Sequence, residues 1–177
     1  MIKKYKTKFK GLLIFKSKSF FDKRGFFREL FIKKFINKDL VFSVTSKSKK
    51  NVLRGLHFQK KRSQGKYISV IKGSIYDVAV DCRKNSKTFG KYFSIILSEK
   101  NNKSIFIPEG FAHGFLGLDP ENIIVYSCTN YRDKKSESGI SWDDEDLGIK
   151  WPIKKPIISK KDKNNPSFNL HFSFKNE

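Results

Sequence analysis

Short β-branched and aromatic runs, cut at close intervals by turn-forming residues, constrain this chain more than any other feature. Tyr67-Ile68-Ser69-Val70-Ile71 is one such run, and Lys72-Gly73-Ser74 after it is a turn signal. Ile75 to Cys82 follows with apolar and polar residues roughly alternating, then Phe93 to Leu97, Ser104 to Ile107 before Pro108, and Ile123 to Cys128. Gly, Asn, Asp and Ser clusters separate them. Short strands repeated in this way point to an all-β antiparallel sandwich or barrel. One short helix is expected over 30–35 and little else. No repeat or linker interrupts the pattern, so residues 1–177 read as one domain. The tail after Pro166 mixes polar and aromatic residues and is expected to be peripheral, partly ordered at best.

Composition narrows the function classes. Hydrophobic residues make up 38% of the chain, which suits a globular protein rather than a disordered one. A formal charge of +21 raises the question of nucleic acid. The lysines, however, run from Lys3 to Lys175 without gathering into one stripe, as a nucleic-acid surface would require. A dispersed positive field is also compatible with an anionic substrate, or with nothing beyond lysine-rich composition. Two cysteines, Cys82 and Cys128, form no CxxC pair, and no apolar run reaches the length of a signal segment or a membrane span. A cytoplasmic protein with reduced thiols, bound to neither membrane nor nucleic acid, is the expectation.

Three histidines, His57, His113 and His171, are the first candidates for proton transfer near neutral pH. In an extended segment, Arg54 and Leu56 would share one face and Gly55 and His57 the other. Neither His57 nor His113 has the spacing that builds a metal site from one element, and no metal or cofactor is expected. On spacing alone, a lone His beside a Phe reads more readily as a hydrogen-bonded core residue than as a catalyst. Residue patterns alone leave the function open.

The ordered segments add to this. Phe21 to Glu29, Ser46 to Gln59 with Leu53-Arg54-Gly55-Leu56-His57, Gln64-Gly65-Lys66 and Tyr76 to Arg83 come first. Ile107 to Phe115, Tyr126 to Tyr131, Trp142 to Glu145, Ile149 to Pro152 and Ser159-Lys160-Lys161-Asp162 follow. Over roughly residues 10 to 166, this set resembles the dTDP-4-dehydrorhamnose 3,5-epimerase family, a metal-free branch of the cupins.

The resemblance implies a jelly-roll barrel, a homodimer, and a nucleotide-linked 4-keto-6-deoxyhexose as substrate, with no cofactor. It implies deprotonation beside the ketone and reprotonation on the opposite face. By motif position, His57 would be the base, Asp162 its acidic partner, Lys66 the cation at the keto oxygen and Tyr126 the proton donor. Asp77 and His113 would stand close by. Arg24 and Arg54 would hold the substrate, Arg being suited to bidentate contact with a diphosphate. Phe27 and Glu29 would pack on and hydrogen-bond the base across the dimer.

Three positions depart from the family pattern. Phe42 and Val44 stand where a Gln and an Asn are usual, and Arg132 where a Tyr stacks on the nucleobase; a guanidinium can also stack there. The alternatives are a single-carbon epimerase or 3,4-ketoisomerase on another nucleotide sugar, or a non-catalytic sugar- or nucleic-acid-binding cupin. Tyr126 speaks against the isomerase, and the pairing of His57 with Asp162 against the binding module.

Overall fold

The computed structural model describes residues 1–172. Its strands in chain order are β1 (Lys3–Lys6), β2 (Leu13–Lys16), β3 (Ser19–Asp22), β4 (Gly25–Arg28), β5 (Phe42–Lys49), β6 (Leu53–Gln59) and β7 (Lys66–Lys72). Then come β8 (Ser74–Asp81), β9 (Tyr92–Ser98), β10 (Lys103–Ile107), β11 (Phe111–Gly117), β12 (Glu121–Cys128) and β13 (Glu137–Gly139). Two short helices close the described chain, α1 (Lys160–Lys163) and α2 (Phe168–Phe172). A six-stranded sheet in the order β1-β2-β10-β7-β12-β5 faces a five-stranded sheet in the order β13-β6-β11-β8-β9, and β3 and β4 form a separate hairpin. The paired strands are antiparallel, as a cupin jelly roll requires.

Between the sheets, Leu12, Ile14, Ile68, Val70 and Ile105 from one side meet Ile75, Ala79, Leu97 and Phe111 from the other. Both outer faces are also covered in part. Ile2, Phe15, Ile36 and Tyr67 pack outside the six-stranded sheet. Leu56, Val78, Val80, Ile140, Leu147 and Phe168 pack outside the five-stranded one. This double cover explains why β7 reads as a continuous apolar run rather than an alternating one: Tyr67 through Val70 are all buried.

Two local expectations change. The segment 30–35 forms only a single 3-10 turn at Lys33–Phe35, preceded by an extended Ile32 whose side chain supplies no cap. Its apolar side chains serve as a lid: Phe31, Ile32 and Phe35 lie against the outer cluster around Tyr67. The tail is also more firmly held than its composition suggested. Phe168 is buried, and its amide donates to Asp144 Oδ2 at 2.6 Å. The part of the tail beyond Phe172 lies outside the described residues. Among the described residues no helix is long and apolar enough to cross a membrane.

Candidate active site

A cavity of about 350 Å³ opens between β5, β7 and β12 of one sheet and β6 and β11 of the other. His57, on β6, lines it. Its Nε2 lies 2.7 Å from Asp162 Oδ1, with the Asp162 side chain only 5% exposed against 40% for His57. The buried end of this pair is held by the helix start: Ser159 caps α1 by accepting the Asp162 amide at 3.0 Å. Burial pushes the Asp162 carboxyl up, but the hydrogen bond to His57, that histidine's charge, the Gly55 N–H and Ser159 together outweigh it and hold it low. In the neutral tautomer whose Nε2–H donates to Asp162, Nδ1 is the unprotonated nitrogen, and it has no protein partner among the described residues. That is the arrangement of an oriented general base.

A bulge sets which side chains of β6 reach the cavity. Between the pairs His57–His113 and Arg54–Phe115, β6 carries two residues where β11 carries one. The extra residue reverses the alternation, so Arg54 and His57 both face the cavity while Leu56 turns into the outer cluster. The expected sharing of one face by Arg54 and Leu56 is thereby corrected. Gly55 permits the bulge: its φ is +130°, and a Cβ there would stand 2.5 Å from the Gly114 Cα.

A second His–carboxylate pair stands beside the first, on the neighbouring strands of the same sheet. His113, in register with His57, bonds Asp77 Oδ2 of β8 through Nε2 at 2.8 Å, and both side chains are nearly or fully buried. Lys66 enters from β7 and Tyr126 from β12. Burial lowers the Lys66 pKa, while Cys128, Asp77 and Glu137 act to raise it. Burial raises the Tyr126 phenol, with Cys128 adding to the effect, so it carries its proton at neutral pH. The structure therefore brings His57, Asp162, Lys66, Tyr126, His113 and Asp77 to one place.

Arg54 reaches the cavity rim, where its Nε donates to Ser48 Oγ at 2.9 Å. Arg132 lines the mouth and is paired with Glu137, whose carboxyl falls to about 2, chiefly through that Arg132 contact and with help from Lys161. Lys161, Glu137 and Ser46 are lining residues to which the sequence reading gave no role. Lys161 could have been found, since it precedes Asp162 on the same helical turn, and Ser46 follows from the alternation begun by Phe42 and Val44. Glu137 carries no local signal. Phe42 and Val44 form an apolar strip of the wall, with the Phe42 ring stacked on Tyr131 at 6.0 Å.

Three candidates lie elsewhere in this chain. Arg24 is 84% exposed and bonded to Asp22, Phe27 is exposed, and Glu29 pairs with the Met1 ammonium at 3.3 Å. None of them lines the cavity.

The profile of the dTDP-4-dehydrorhamnose 3,5-epimerase family matches residues 6–169. The chain belongs to this family. It is similar to the dTDP-4-dehydrorhamnose 3,5-epimerase of Methanothermobacter thermautotrophicus, 46% identical over 90% of each chain. The enzyme of that name from Shigella flexneri is 44% identical over 92% of this chain and 94% of its own. Among solved structures, a Legionella pneumophila 3,5-epimerase in complex with dTDP-4-keto-L-rhamnose superposes with a TM-score of 0.92 at 38% identity, covering 96% of this chain and 94% of that one. As a family epimerase, the chain has a span of similarity that includes both His–Asp pairs, Lys66 and Tyr126.

Proposed function

We propose that this epimerase inverts C3 and C5 of a dTDP-linked 4-keto-6-deoxyhexose, a step toward rhamnose-type surface glycans, with His57 as base and Tyr126 as proton donor. The observation that carries the reading is the placement of the two groups on facing sheets. His57 projects from β6 of one sheet and Tyr126 from β12 of the other, with the cavity between. Inversion needs a proton removed on one face of the sugar and returned on the other, and opposed walls meet that need. His57 takes the proton beside the ketone, and Asp162 stabilises the imidazolium that forms. Lys66 offsets the charge that develops on the keto oxygen, a contribution of about 10²–10³-fold in comparable sites. Tyr126 then protonates carbon from the far side and is reprotonated from solvent. Among the described residues, Arg54, Lys66, Arg132 and Lys161 stand against one lining carboxylate, Glu137, an excess of positive charge suited to a diphosphate.

The active unit in this reading is a homodimer. The β3–β4 hairpin exposes Phe20, Phe21, Phe26 and Phe27, and a two-stranded ribbon with four open phenyl rings is marginal in water unless covered. A second copy would cover it and bring Arg24, Phe27 and Glu29 to the neighbouring cavity. Light scattering should report a dimer that Phe21→Asp weakens; a monomeric parent with full activity would count against this arrangement. The function is tested by incubating the protein with dTDP-4-keto-6-deoxyglucose in deuterated water. Proton NMR should show deuterium at both C3 and C5 with conversion to the L-sugar. Exchange at one carbon only would make it a single-carbon epimerase, and no exchange would remove the proposal.

A further inference from the structure

Among the described residues, four buried side-chain polar atoms have no hydrogen-bond partner, and Ser46 Oγ is the one whose residue lines the cavity. The other hydroxyls of β5 are all engaged. Ser43 bonds Ser127 at 2.6 Å, Thr45 donates to the Ile124 carbonyl at 3.1 Å, and Ser48 accepts from Arg54 at 2.9 Å. A buried hydroxyl left unpaired costs stability, and on a cavity wall the cost is removed by a partner that arrives from outside the protein. Its position indicates what that partner touches. Val44 stands opposite Tyr126 in the β5–β12 register, and Ser46, two residues on, faces the same way. Beyond it, Arg54 is tied to β5 through Ser48 Oγ and the Lys47 carbonyl. Ser46 thus sits on the wall between the phenol and the guanidinium.

We infer that Ser46 donates a hydrogen bond to an acceptor oxygen of the bound sugar nucleotide, at the Arg54 end of the cavity, and so sets the register of the sugar against His57 and Tyr126. The inference rests on the cavity being the substrate site. The acceptor is an oxygen of the diphosphate or of the sugar ring and its hydroxyls, the chemistry being the same. A hydroxyl to a charged or partly charged oxygen in such a setting contributes about ten- to a hundredfold in affinity or rate.

Ser46→Ala removes one oxygen that has no partner in the free protein, so function and stability should move apart. Three quantities would be measured on the parent and the variant: the thermal midpoint without ligand, kcat/KM on the dTDP-4-keto sugar, and the Kd of dTDP. The expected result is an unchanged or raised midpoint with kcat/KM lowered about ten- to a hundredfold. A matching rise in the dTDP Kd assigns the acceptor to the diphosphate; an unchanged Kd assigns it to the sugar. Parental kcat/KM in the variant, or a loss of activity accompanied by a clearly lowered midpoint, overturns the inference. If the parent itself neither binds nor turns over the sugar nucleotide, it is the functional reading that fails.

Discussion

Replacing Asp162 with Asn tests the His57–Asp162 pair with the least change of shape. The carboxylate sits 2.7 Å from Nε2 with its own side chain 5% exposed, so an amide of the same size should occupy the same space. What is lost is the charge facing the imidazolium that forms during turnover. With charge centres about 4 Å apart and an effective dielectric near 20, that attraction is about 4 kcal/mol. Because the His57 side chain is 40% exposed, solvent screens part of it, and roughly half, about 2 kcal/mol, is a fair remainder. The charge alone therefore accounts for a fall in kcat of about 30-fold. If the amide turns its NH2 toward Nε2, the ring must adopt the other tautomer and lose its free base, and the fall grows toward about 10⁴-fold, as in Ser-His-Asp triads. The assay is the initial rate of deuterium incorporation at the sugar carbons, followed by proton NMR at saturating substrate. A rate for Asp162→Asn within threefold of the parent would refute the base–acid pairing.

Tyr126→Phe should keep proton removal by His57 while starving the opposite face of its donor. Deuterium exchange should then persist while net inversion drops by about 10²-fold or more, measured by NMR of the product stereochemistry. Gly55→Ala should unfold the bulge that seats His57, since a Cβ would stand 2.5 Å from the Gly114 Cα at a φ of +130°. A thermal midpoint equal to the parent's would contradict this. Acid should destabilise the protein in a defined window. For Asp81, burial pushes the carboxyl up, but hydrogen bonds from Arg83, Ser86 and Thr88 hold it low, and Glu137 lies at about 2 against an ordinary 4.5. Carboxyls depressed in the folded state stabilise it above their unfolded pKa and lose that contribution as the pH falls. Calorimetry should therefore show the midpoint falling steadily from about pH 4.5 to about pH 2, and a flat profile there would contradict the assignment.

Much of the sheet architecture was legible because strand signals are local. β7, β8, β9, β10 and β12 lie where β-branched runs meet turn residues. The site was legible as a set of motifs, and the structure gathers eight of those residues at one cavity: His57, Asp162, Lys66, Tyr126, His113, Asp77, Arg54 and Arg132. What the chain hides locally is decided by tertiary contact. The Gly55 bulge reverses the face that Arg54 shows, and a period of two cannot anticipate it. Residues 30–35 are apolar enough for a helix but are spent covering Tyr67, and Phe168 is held by a carboxylate 24 residues earlier, at Asp144. Glu137 reaches the mouth because β13 pairs with β6, a contact between segments about 80 residues apart. Arg24, Phe27 and Glu29, by contrast, do not line the cavity of their own chain, and only the proposed dimer would give them a place in the site.

The most direct test of the account compares the parent with His57→Asn for solvent deuterium incorporation into dTDP-4-keto-6-deoxyglucose. The account predicts exchange at C3 and C5 in the parent, and none above background in His57→Asn, with dTDP binding nearly unchanged in both. Undiminished exchange in His57→Asn would show that another group removes the proton, and the central assignment would be wrong.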